Sequence, residues 1–439
     1  MPSNPIDIAH LLRRSRFAAL PDEITVLSAL DWADAVEAVL DTSAAAPSNV
    51  GTPNLDSSRG SYQRFTDMVH FWLDRATNSD AGIVEKMTLF WHGHFCTSLE
   101  KTFDHQALFE QNQLFRSAGL GSFVSLTHNV SLQPAMIEYL DNDRNVLGSP
   151  NENFARELME LFTLGVNQYS EQDVVESARA WTGHGLDDND RYFFDASEHD
   201  AGSKTFFGQT GNYRGPDIIN LIFSQKGVRV SQFMAEKLWS FFAYPNPSTS
   251  VINNIADAFR PQWDITAALR AIFNHPEFRS NQAKQGLVRS PIEFAVAAMK
   301  HTGLRCADTN PQWSLGGMGQ TPFRPPNVAG WKQNEYWISS SAVWAKSSFA
   351  SGMRWNQYSA GALDHIDERY ESGENRGNYV VPVAASVQAA LDHYGISDAS
   401  QATRTALEQF VTAERATSRW AERAGLLFLP LLTPDFQMG

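Results

Sequence analysis

SPNENFARELMELFTLG, residues 149–165, and its sequel YSEQDVVESARAWTG, residues 169–183, form the stretch around which the chain is organised. Ser149 stands where a helix N-cap belongs, Pro150 at the first helical position, and Glu152 where a capping-box acid reaches back to the cap. Gly165 closes that helix. Ser170 with Asp173 repeats the start signal, and Gly183 supplies the left-handed residue that ends a second helix. Two antiparallel helices joined by a short turn are expected. At about 3.6 residues per turn, Phe154, Leu158, Leu161 and Phe162 share one side of the first helix, and Asn153, Arg156, Glu157 and Glu160 the other. So dense a polar face marks a place in the fold without naming a reaction.

Outward from this pair, apolar residues recur at helical spacing over residues 6–14, 31–40, 62–76, 82–91 and 103–117. The same spacing continues through 123–127 and 134–140, resumes over 216–223, 230–242, 251–259, 265–274 and 291–302, and closes the chain over 341–353, 386–393, 401–412 and 415–427. Residues 42–61, rich in Pro, Gly, Ser and Asn, read as a long surface loop. RYFFD (191–195) and KTFFG (204–208) are short aromatic stretches flanking a polar connection, which predicts one small β-hairpin at about residues 190–210. WSLGGMGQTPFRPPNVAGWKQNEYW (313–337) is full of Gly, Pro and aromatics, and suits an ordered, packed loop. Residues 350–380, with SGENRGN at 372–378, are the expected place of a mobile insertion. The predicted class is mainly α: a single multi-helical domain over residues 1–439 with one small inserted hairpin.

With 439 residues and 43% hydrophobic content, the chain can bury a sizeable core. A net charge of -14 without a Lys/Arg run argues against nucleic acid, because phosphate neutralisation needs a basic face. Cys96 and Cys306 are too few for a disulfide framework and read as small buried hydrophobes. Arg13, Arg14 and Arg16 interrupt the first apolar stretch, so no secretory signal is expected there, and no apolar run approaches a membrane span. A cytoplasmic location follows from these features, with export left open if a leader has been removed.

Candidate chemistry rests on few residues. His92 and His94 flank Gly93; if Gly93 ends the helix, the extended His-x-His places both rings on one face as a metal-chelating pair, and otherwise they cap and brace. Glu157 and Glu160 share a helix face, as do Arg156 and Glu160. Either Arg156 clamps Glu160 and Glu152 in a buried ladder, or a carboxylate joins the histidines around one divalent ion while Arg156 orients an anionic substrate. His184, next to Gly183, is expected to cap the second helix, near a dipole that favours its cationic form. His199 and Asp200 form an adjacent pair suited to base work or metal binding, unless they only build a turn. Gln320, Arg324, Asn327 and Trp331 mix amides, a cation and a flat ring, as a carbohydrate-binding surface does, or brace the helices beneath. No nucleophile elbow, phosphate loop, dinucleotide fingerprint, zinc-protease helix or Cys-pair motif is present.

The segments IAHLLRRSRF, MTLFWHGHF, PAMIEYLDN, PNENFARELMELFTLG, SARAWTG, HDAGSKTFFG, FMAEKLWSFF, RSPIEF, MGQTPFRPPNVAGW and LLTPDFQ occur in this order along nearly the whole chain. On them the chain resembles the bacterial domain-of-unknown-function family 1800. The family commonly carries Asn between the two histidines where this sequence has Gly93. The resemblance implies no settled activity. It implies a protein partner encoded by an adjacent gene, from a second family that resembles sulfatases and alkaline phosphatases, and frequent export. Two functions stand against each other: an enzyme, hydrolytic or oxidative, whose pocket gathers His92, His94, Arg156, Glu157, Glu160, His199 and Asp200 around one divalent metal ion; and a non-catalytic binding or assembly partner of a neighbouring enzyme or glycan.

Overall fold

The computed structural model describes residues 1–43, 49–363, 381–415 and 417–438. The protein is mainly α, with two small two-stranded antiparallel sheets. The helices used below are α1 (Pro5–Arg16), α2 (Ser61–Asn78), α3 (Gly82–His94), α4 (Asn153–Glu157), α5 (Glu171–Ala180), α6 (Gly215–Phe242), α7 (Pro291–Thr302), α8 (Pro311–Met318), α9 (Ser340–Ser359) and α10 (Arg419–Leu426). The strands are β1 (His184–Leu186), β2 (Tyr192–Phe194), β3 (Lys204–Phe206) and β4 (Gln209–Gly211).

The α5 start follows the sequence: the Asp173 N–H donates to Ser170 Oγ at 3.2 Å and the Ser170 N–H to Asp173 Oδ2 at 2.9 Å, and Gly183 has φ +76°. The start of α4 does not. Ser149 lies in an isolated bridge with Val146, and helix begins only at Asn153. Two asparagine side chains take the place of the expected cap. Asn145 Oδ1 accepts the Asn151 N–H and Asn151 Oδ1 the Asn153 N–H, both at 2.9 Å. Beyond Glu157 the chain widens into a π-helical turn over Leu158–Thr163, with the Leu164 N–H reaching back to Met159 O at 2.8 Å, and Gly165 at φ +88° stops it.

Helix α3 also departs from expectation, since it runs through both histidines instead of ending at Gly93. A Cβ added at Gly93 would meet nothing within 4 Å, so the glycine is no break, and the Phe95 N–H closes the helix on Trp91 O at 2.8 Å. The two aromatic stretches do not pair with each other: β1 pairs with β2, and β3 with β4. Phe207 and Gly208 both take positive φ, 48° and 76°, the tight turn that folds β3 back on its immediate neighbour.

Apolar side chains collect in two clusters, and α3 serves both: Met87, Phe90 and Trp91 enter the first, Leu89 the second. The first holds α1, the π-turn and most of α6; the second holds α7, α8 and α9. Glu85 of α3 is fully buried, accepting from Arg116 at 2.7 and 3.0 Å and from Arg75 of α2 at 3.1 Å. Cys96 and Cys306 are buried free thiols. Residues 313–337 are helix α8 at their start, then irregular until a 3-10 turn begins at Asn334, and residues 350–359, expected to be mobile, belong to α9. SGENRGN (372–378) lies outside the described residues.

Candidate functional site

The π-turn leaves backbone carbonyls pointing out of its C-terminal end, as any helix does, and here side chains from elsewhere collect on them. Lys237 Nζ donates to Leu161 O at 3.1 Å, His94 Nε2 to Phe162 O at 3.1 Å, and Arg229 Nε to Leu164 O at 2.7 Å. A carbonyl only accepts, so His94 carries its proton on Nε2. Its Nδ1 is then an acceptor, 3.3 Å from Lys237 Nζ. Burial and the charge on Lys237 push the His94 pKa well below the usual range, which keeps the ring neutral. Burial also pulls the Lys237 ammonium down to about 8.

These groups line a cavity of about 520 Å³ whose wall includes Glu160, Glu236, Glu293, Gln320, Trp331 and Trp337. Lys237 and Arg229 come from α6 beyond its break at Lys226, which has φ -120°. Burial would raise the Glu293 carboxyl, but Lys86 beside it and the Ser290 N–H hold it down at about 2. Glu160 accepts the Tyr169 hydroxyl proton, and burial with that carboxylate pushes Tyr169 up to about 12. Among the described residues neither Lys237 nor Arg229 has an ion-pair partner. The cavity therefore holds two cations whose charge no carboxylate contact answers.

The family model described as "Protein of unknown function (DUF1800)" matches residues 10–438. The chain belongs to that family. The DUF1800 match runs over every element that builds the cavity, from α3 through α6 to the loop after α8. No curated protein and no solved structure matches the chain.

Of the residues singled out in the sequence, His94, Glu160, Gln320 and Trp331 meet at this DUF1800 cavity. The others lie elsewhere. His92, only 2% exposed, points away from His94 as two residues apart on a helix must, and its Nε2 accepts the Phe323 N–H at 3.0 Å. That bond holds the loop after α8 at Phe323, where φ is +62°, with the Trp331 ring 5.4 Å from the imidazole. Burial lowers the His92 pKa to about 3, consistent with an accepting nitrogen. Arg156 binds Glu171 at 2.7 Å and Glu152 at 3.2 Å at the surface, so the expected buried ladder through Glu160 is replaced by an exposed one without it. Glu157 is half-buried, its carboxyl raised by burial and by Glu160.

His199 Nδ1 donates to Thr182 O at 2.9 Å, while Asp200 pairs with Arg179 Nε at 2.7 Å. The two tie the hairpins to α5 and do not orient one another. Arg324 lies over the Phe65 ring at 4.2 Å and pairs with Glu100 at 3.2 Å; Asn327 Oδ1 accepts the Ala329 N–H at 2.9 Å; Gln320 Oε1 accepts the Ile292 N–H at 3.0 Å at the start of α7. His184 caps no helix. It lies in β1 against Tyr192, with Nδ1 3.0 Å from the hydroxyl, and burial lowers its pKa to about 4, the reverse of the cationic form expected.

The donor set does not fit a metal shared by His92 and His94, because the rings diverge and His92 Nε2 and both ring nitrogens of His94 are engaged in hydrogen bonds. Among the described residues no group of three or more His, Cys, Asp or Glu could hold an ion. Sequence reading missed Lys237 and Arg229, although FMAEKLWSFF carries a usable signal. Val230, Phe233, Lys237 and Phe241 follow one another at helical spacing, so a lysine stands in an apolar stripe.

Proposed function

We propose that the chain is an enzyme acting on a small anionic molecule bound in the cavity, with Lys237 as its acid–base group. The observation that carries this is the Lys237 amine itself. It gives one proton to Leu161 O and one to the neutral His94 ring, and its remaining position has no protein acceptor among the described residues. As the ammonium it pairs with the ligand's anionic oxygen alongside Arg229; as the free amine it takes a proton from the bound molecule. A group titrating at about 8 serves both roles near neutral pH. Gln320 and Asn334 offer amides to hydroxyls or carbonyls, and Trp331, Trp337 and Phe233 shape the apolar wall.

Glyoxylate tests the assignment, since it couples a carboxylate to an aldehyde. Imine formation between the amine and the aldehyde, with loss of water, followed by reduction with cyanoborohydride, is expected to place the adduct chiefly on Lys237, with a rate rising through pH 8. Lys237→Arg keeps the charge and removes the titratable amine, so it should keep glyoxylate-induced thermal stabilisation and lose the adduct. Labelling spread over surface lysines, with Lys237 unmodified, refutes the proposal. The alternative is that the chain binds without turnover, as an assembly partner of a neighbouring enzyme; it is favoured by how many of the sequence's charged candidates sit in ion pairs, such as Arg156–Glu171 and Arg179–Asp200.

A further inference from the structure

Four of the twelve tryptophans are exposed: Trp313, Trp344, Trp355 and Trp420, at 68%, 73%, 51% and 43%. All four lie on α8, α9 and α10, on the side of the second core. Trp344 and Trp355 are eleven residues apart on the continuous helix α9, so they stand about 20° apart around its axis and about 16 Å apart along it. They form one row. Between them the outward positions are Ser348 and Gly352, with Ser347 and Ser351 beside them, and the Arg354 guanidinium lies over the Trp355 ring at 5.5 Å. Trp420 extends the row's far end, its ring 5.5 Å from Trp355 and tilted by 37°. At the near end α8 closes on α9 where a Cβ at Gly317 would come to 3.3 Å from Ala345, next to Trp344. Trp313, one turn before that contact, rests its ring 5.3 Å from Tyr62.

The geometry points to a binding platform for a neutral, extended β-1,4-linked glycan, running along α9 from Trp344 to Trp355 and Trp420. Solvent-facing indoles offer flat apolar faces to the axial C–H groups of pyranose rings, and serine hydroxyls between them suit a chain edged with hydroxyls. Rings in a straight row fit an extended polymer better than a coiled one. The net charge of -14 disfavours polyanionic polysaccharides and nucleic acids on the same surface. This inference is independent of the cavity and of Lys237.

Affinity electrophoresis of the full chain through gels containing hydroxyethylcellulose, with pull-down on cellulose and chitin, tests it. Retardation is expected in the cellulose-derived gel. Trp344→Ala and Trp355→Ala should each weaken it about two- to tenfold, and the double variant should abolish it. Because Trp344 is 73% exposed, Trp344→Ala should leave thermal melting unchanged, which separates loss of binding from loss of fold. Trp344→Phe should retain part of the retardation. The proposal is overturned if no gel or solid retains the chain, or if the double variant is retained as well as the parent. It is also overturned if sedimentation shows a dimer that Trp344→Ala dissociates, for then Trp344, with Ile338 and Val343 beside it, serves a protein interface.

Discussion

His92 shows how a residue that looks like a ligand can act through the backbone. Its imidazole accepts one N–H, and that N–H belongs to a phenylalanine held in the left-handed region, where a non-glycine residue is uncommon. His92→Ala leaves a buried donor unanswered and is expected to cost about 1–3 kcal/mol in urea unfolding. His92→Gln offers a carbonyl oxygen in its place and should recover part of that. Equal destabilisation by the two variants would show that ring packing, not the acceptor, holds the loop. From the sequence, two histidines around a glycine were visible as candidates. What they bind was not, because the answer turns on whether Gly93 ends the helix, and a glycine is equally at home inside one when no neighbour crowds it. Lys237 was legible in principle as a charge in an apolar stripe, but its neighbours, the carbonyls of a π-turn, come from a segment some seventy residues earlier and leave no local trace.

At the scale of elements, capping chemistry wrote the start of α5 plainly into the chain, Ser170 with Asp173. It misplaced the start of α4, because Asn145 takes the Asn151 N–H from six residues upstream, further than a capping box reaches, and Asn151 then caps a helix that begins only at Asn153. The single expected hairpin became two because a two-residue turn at Phe207 and Gly208 offers β3 a nearer partner than β2. Between helices one buried tie is Glu85, which is held by two arginines from two other helices. Glu85→Gln keeps the shape and removes the charge, leaving Arg75 and Arg116 without a counter-ion in a buried setting. A loss of about 3–5 kcal/mol in chemical denaturation is expected, and a loss under 1 kcal/mol would place this tie with ordinary surface pairs.

Across the whole molecule, buried neutral histidines set the response to acid. His92 and His184 have folded pKa values of about 3 and 4, and His94 lies well below its usual range, whereas all three protonate near 6.5 once unfolded. Between those limits the unfolded chain binds more protons, so stability is full above pH 6.5 and falls as pH drops toward 4. Each such histidine contributes a slope of up to about 1.4 kcal/mol per pH unit. Melting temperature followed from pH 7 to pH 4 should decline steadily, and less steeply in His92→Gln. A flat profile would mean that these rings meet water in the folded state.

Among the described residues no helix is long and apolar enough to cross a membrane. Burial is instead divided between two cores, and the central helix gives Leu89 to one and Phe90 and Trp91 to its neighbour, so neither can be completed without it. Excising either half would strip one flank of that rod bare to water and expose Trp91 or Leu89 to association with other chains. Fragments split on either side of it should therefore clump when expressed separately, and regain solubility only when both are produced together.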